Sequence, residues 1–162
     1  MPIYMGFFEK PDVLDRSLRG DVTAQGFEGW IQLQGAQLAT RRQIVSNIGR
    51  GKNQARPSVS EIVITKRQDS VSVPLYRAWG AGKRKLVVIA YVKDGTTSMT
   101  VVLRDTLISS YATGAGGELY GKEAPPIESI SLNFNGITFD AKDKSPAMNN
   151  WSVQQQSEEK AF

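Results

Sequence analysis

Apolar positions along this chain recur mostly at every second residue, in short runs bounded by Gly, Pro, Asn and Asp. That is the period of a strand with one face turned toward a core. Residues 2–8 read as a first strand. Residues 21–38 contain a second, with Phe27, Gly29, Ile31 and Leu33 on one parity and Glu28, Gln32 and Gln34 on the other. Residues 59–65 give a third, with Ile62 and Ile64 facing one way. Residues 84–93 are apolar and β-branched throughout, which predicts a strand covered on both faces. Asp94-Gly95 then signals a tight hairpin into a strand over 98–111. Along 127–139, Ile130, Leu132 and Phe134 alternate and the parity shifts after Gly136 to Ile137 and Phe139, which predicts a β-bulge there.

One stretch has a different period. Over 69–80, Leu75, Ala78 and Trp79 are spaced i, i+3, i+4, Pro74 sits in the opening turn, Asp69 or a Ser can cap the start, and Gly80 or Gly82 can close the end. Trp79 is expected in the core. A single short helix among some seven strands predicts a mainly β protein: a closed or curled antiparallel β-barrel with one short α-helix at its side. Curling also manages the free edges of so strand-rich a chain.

Residues 40–56 and 112–117 read as mobile loops, and the chain turns polar beyond Asp140. The domain is expected over 1–152, with 153–162 a frayed polar tail.

Composition narrows the chemistry. At 162 residues, 40% apolar and 22% charged, this is one globular domain's worth of chain. Cysteine and histidine are absent, which removes disulfides, thiol nucleophiles, Cys/His zinc sites and Ser-His-Asp triads. A net charge of +4 permits contact with acidic partners without demanding it. The longest apolar run, residues 86–92, is far short of the roughly 20 needed for a membrane helix, so no membrane insertion is expected. Glu9 and Asp12 follow the first apolar residues at once, which reads against a conventional signal peptide.

Candidate catalytic motifs fail one by one. Gly49-Arg50-Gly51-Lys52 lacks the phosphate-loop spacing and has Asn53 where a magnesium-binding Ser or Thr belongs. The Gly-rich run at 115–117 reads as a turn. Glu28, Glu61, Asp105, Glu123 and Glu128 are scattered and read as a solvated face, not a glycosidase pair. No cofactor, metal site or catalytic residue is expected. The basic loop, with Arg41, Arg42, Arg50, Lys52 and Arg56 and no acid, is the one charged feature, and it has no interleaved aromatics for stacking bases. A basic β-barrel binding nucleic acid is therefore the alternative reading, and nucleic acid is not the expected partner.

Several segments in order resemble one family. Gly20-Asp21-Val22-Thr23 with Gly26-Phe27-Glu28-Gly29-Trp30-Ile31-Gln32-Leu33 looks like the opening strands of the Hcp (hemolysin-coregulated) proteins of bacterial type VI secretion systems. Ser60-Glu61-Ile62-Val63-Ile64-Thr65-Lys66-Arg67-Gln68-Asp69 is similar to the family's I-x-I-T-K-x-x-D strand, and 70–80 to the helix that follows it. Leu103-Arg104-Asp105-Thr106-Leu107-Ile108-Ser109-Ser110-Tyr111 resembles L-x-D-x-L-I-S-S-Y, and Glu128-Ser129-Ile130-Ser131-Leu132-Asn133-Phe134 resembles E-x-I-x-L-x-F. Trp151 stands where the family often keeps a Trp.

The resemblance implies a structural protein, not an enzyme. Family members form homohexameric rings that stack into a tube inside a contractile sheath and carry small effector proteins in the pore. Spike, sheath and baseplate components are the implied further partners. Implied too is a subunit that waits in the cytoplasm and is secreted on firing without a signal peptide. In the family the long connection between the second and third strands reaches the next ring, which makes Arg41, Arg42, Arg50 and Lys52 the expected ring-stacking residues.

Overall fold

A computed structural model describes residues 1–43, 56–114 and 126–141. In chain order these residues form β1 (Ile3–Lys10), β2 (Val13–Leu14), a 3-10 turn (Arg16–Leu18), β3 (Ile31–Leu33), β4 (Gly35–Gln43) and β5 (Arg56–Arg67). Helix α1 (Ser72–Ala81), β6 (Lys85–Lys93), β7 (Thr96–Gly114), β8 (Ile127–Asn133) and β9 (Gly136–Ala141) complete the set. Neighbouring strands are antiparallel and follow the order β2-β1-β6-β7-β8-β5-β4, with β3 on β1 and β9 on β7. The expected mainly β fold, a curled antiparallel sheet with one helix, is what forms.

Two bends curl the sheet. Gln34 separates β3 from β4, so one stretch of chain pairs with β1 through Ile31–Leu33 and with β5 through Gly35–Gln43. The Gln34 N–H donates to the Thr65 carbonyl at 2.8 Å and holds the corner. The second bend lies across the long strand β7, whose first part pairs with β6 and β9 and whose second pairs with β8. Asp105, at φ 48°, occupies the left-handed region where these parts meet. Opposite it, β8 stops at Asn133 and β9 starts at Gly136, with the Asn135 N–H donating to the Arg104 carbonyl at 3.1 Å. The parity shift at Gly136 therefore marks a strand break, while the register irregularities of the β6–β7 and β7–β8 pairings sit on β7. Both chains must kink at one level for the ribbon to bend.

Alternation then fills one core. Met5 and Phe7 from β1, Ile62 and Ile64 from β5 and Val87 and Ile89 from β6 are all buried in it. On β6, Ala90 and Val92 are buried as well but Leu86 and Val88 only half-buried, so the second face is covered along the later part of the run alone. The Asp94-Gly95 turn has φ 51° and 73°, the left-handed pair that a two-residue hairpin needs, and it joins Lys93 to Thr96.

Three expectations change. The strand expected within 21–38 is confined to β3 and β4. The segment before it is a turn-rich loop whose Phe27 and Trp30 pack on Tyr4 and Phe8 of β1. Strand reaches into the expected loop 40–56 from both sides: Arg41 and Arg42 lie on β4 opposite Ser58 and Pro57, and Arg56 opens β5, while 44–55 lie outside the described residues. Likewise β7 runs to Gly114, past the expected end at Tyr111. The tail 153–162 and Trp151 lie outside the described residues.

Candidate functional site

The helix begins at a polar knot. Ser72 opens α1, and its hydroxyl accepts from the Asp69 N–H at 2.9 Å, while Asp69 Oδ1 accepts from the Val71 N–H at 3.0 Å. This reciprocal arrangement satisfies two backbone donors, as an N-terminal box does. At the far end Gly82, φ 63°, donates its N–H to the Ala78 carbonyl at 3.2 Å; of the two glycines considered, this one closes the helix. Leu75 is fully buried and Ala78 packs beside it. Trp79, expected in the core, is instead 42% exposed and tilted against Tyr76 at 5.7 Å. One short helix lying on a sheet buries a narrow stripe, and Trp79 falls at its edge.

Beneath this start lies Lys66, fully buried although charged. Its ammonium donates to the Arg67 carbonyl and Asp69 Oδ1, both at 2.7 Å, and to Glu128 Oε2 at 2.9 Å, with Ser72 Oγ at 3.3 Å. Lys66 and Glu128 are direct cross-strand partners on β5 and β8. Glu128 also accepts from the Ser72 hydroxyl at 2.9 Å and from the Tyr111 hydroxyl. Burial raises the Glu128 carboxyl's pKa, but donation from Tyr111, Lys66 and Ser72 and the Lys66 charge together hold it below its ordinary value. Burial, and then the Glu128 carboxylate it donates to, push the Tyr111 hydroxyl above its ordinary value. Placing Glu128 on a solvated face is thus corrected: it is 1% exposed. Glu28 and Asp105 are exposed as expected, and Glu123 lies outside the described residues.

The knot is a clasp. Ser72 is 4% exposed and its oxygen already accepts from the Asp69 N–H, so it is closed off from any substrate, and the Lys66 donors are all engaged. Among the described residues no cluster of three or more carboxylates could hold a metal. A second clasp ties the 3-10 turn to β6. Asp15, 2% exposed, pairs with Lys85 and accepts from the Ser17 hydroxyl at 2.6 Å and the Ser17 N–H at 2.9 Å. Burial opposes ionisation of Asp15, yet those donors and the Lys85 charge lower its pKa.

Of the expected stacking residues, Arg41 and Arg42 are placed on the backbone of β4, at the end of the β4–β5 hairpin. Arg50 and Lys52 lie outside the described residues. Sequence reasoning missed Lys66, Tyr111 and Ser72 as one unit, although the Hcp-like segments of the chain contain all three. A Lys on an alternating strand, with Ile62 and Ile64 on its own parity, was the available signal.

The model of the family described as "Type VI secretion system effector, Hcp" matches residues 7–140. Comparison with curated sequences finds no match. Among solved structures, the Hcp1 protein from E. coli EAEC 042 is 18% identical, with 94% of this chain and 97% of that one covered at a TM-score of 0.70. The secreted protein Hcp3 from Pseudomonas aeruginosa is 21% identical over 93% and 96% at 0.63. A type VI secretion system effector from Yersinia pestis is 17% identical over 93% and 95% at 0.66. At such identities the likeness is one of fold, and the family match supplies the rest: this chain belongs to the Hcp family of the type VI secretion system.

Proposed function

We propose that the chain is a ring-forming subunit of the type VI inner tube and not an enzyme. Homohexameric rings stack into a tube, effector proteins travel in the pore, and spike, sheath and baseplate components are the further partners. The subunit waits in the cytoplasm and leaves on firing. The observation that carries this reading is the family match across residues 7–140. The free edges of the curled sheet support it. Among the described residues β2, β4 and β9 each have a partner strand on one side only. Edges of that kind suit a head-to-tail contact repeated until a ring closes. Stacking is assigned to Arg41, Arg42, Arg50 and Lys52, through an acidic patch on the next ring.

Sedimentation velocity with negative-stain imaging tests the ring: hexameric rings support it, and a strict monomer at high concentration overturns it. For stacking, neutralising the four basic residues together should shorten tubes and make the remainder salt-sensitive. Unchanged stacking and secretion would rule out that assignment.

A further inference from the structure

Two open clefts near the end of α1 share Lys83 and Lys85 as a common wall. The smaller, about 270 Å³, lies between α1 and the 3-10 turn. Pro74, Arg77, Ala78 and Ala81 of the helix line it at i, i+3, i+4 and i+7, one helical face. The larger, about 860 Å³, runs on between the end of β1, the start of β6 and the bend in β7. Together they make one groove.

Its charge is lopsided. Arg77, Lys83, Arg84, Lys10 and Arg104 line it, against Glu9 and Asp105. None of the ion pairs among the described residues engages those five; the third ion pair, of Lys85 with Asp15, neutralises the wall below. Arg84 donates to the Asp105 carbonyl at 3.0 Å and Arg104 to the Thr138 hydroxyl at 2.6 Å, so both side chains are held in place without losing their charge to a carboxylate. A helix C-terminus favours nearby cations, which accounts for Lys83 and Arg84 but not for Lys10 and Arg104 on other strands. The floor is apolar: Pro74, Ala78 and Ala81 in one cleft, Leu86 and Val102 in the other.

We infer that this groove is a docking site for an acidic polypeptide segment of another protein, one that alternates carboxylates with apolar side chains. Charge complementarity selects acid, and the apolar floor favours a peptide over a phosphate polymer, which would leave it uncovered. The inference goes beyond the tube reading and is independent of ring number.

The test uses the full chain at low salt and fluorescence anisotropy. The probes are a labelled 12-mer alternating Glu with Leu, its Gln counterpart, and a single-stranded DNA of equal net charge. Expected is binding of the Glu peptide that weakens with salt, with the Gln peptide about tenfold weaker or worse. The triple variant Arg77→Glu, Lys83→Glu, Arg84→Glu should lose about tenfold or more, from three pairs of the exposed kind. Lys93→Glu, at the opposite end of β6, should lose nothing. Should the charge-reversed protein fail to fold by circular dichroism, the Gln triple at the same positions gives the same reading. Equal binding of the Glu and Gln peptides, no peptide binding, or DNA binding tighter than the peptide's with the same loss in the variant would each overturn the inference.

Discussion

Breaking the Lys66–Glu128 pair from one side should cost far more than removing it whole. Both groups are essentially out of solvent, at 0% and 1% side-chain exposure, with nitrogen and oxygen 2.9 Å apart. Removing one partner of a buried pair leaves an uncompensated charge and costs about 3–5 kcal/mol. Here each survivor keeps some company. After Glu128→Met, Lys66 still has Asp69 at 2.7 Å; after Lys66→Met, Glu128 keeps the Tyr111 and Ser72 hydroxyls. The lower end, about 3 kcal/mol for each single change, is therefore expected, which for a chain of this size is a melting-temperature drop of about 6–12 °C. The double change Lys66→Met, Glu128→Met replaces two charges by flexible apolar side chains in the same space and should cost about 1 kcal/mol or less. Urea unfolding followed by circular dichroism, at one fixed protomer concentration so that assembly does not confound the comparison, measures all three. A coupling of about 5 kcal/mol is the expected outcome. A double variant that loses the sum of the singles would refute the clasp, as would singles that lose less than about 1 kcal/mol.

The same groups set the pH limits. Glu128 and Asp15 have folded pKa values below their unfolded ones, so their contribution is full above the ordinary carboxylate range and is lost as pH falls from about 4 through the depressed values. Glu128→Gln should flatten that acid limb in a pH series of urea midpoints. Tyr111 has the opposite sign: its raised value makes stability fall as pH climbs above about 10, and Tyr111→Phe should remove that limb while costing about 1 kcal/mol at neutral pH. Gly20→Ala should destabilise by about 2 kcal/mol or more in the same assay, because the new Cβ would meet the Trp30 carbonyl oxygen and lie 2.9 Å from Ile31 Cα, backbone that cannot move aside. Leu75→Ala, at the fully buried contact of α1 with the sheet, should cost about 2–5 kcal/mol, and a loss under 1 would mean the helix does not lean on that residue.

Period-2 alternation determined much of this fold, because a sheet with a buried face leaves that mark on every strand it contains. Ile62 with Ile64 and Ile130 with Leu132 were legible for that reason, the Asp94-Gly95 hairpin from its turn chemistry, and the helix ahead of Gly82 from its i, i+3, i+4 spacing. The absence of Cys and His likewise settled which catalytic chemistries are excluded without any coordinates. Local pattern is blind to register, and register decided the rest. Lys66 and Glu128, 62 positions apart, are an ordinary basic and an ordinary acidic residue until β5 and β8 pair them face to face beneath α1. Trp79 carried the helical spacing of a core residue, yet the width of one helix on one sheet left it at the edge. The basic groove belongs to four separated stretches of chain, and only their packing makes one surface of them. Burial and juxtaposition are properties of the whole fold, and no window of sequence contains them.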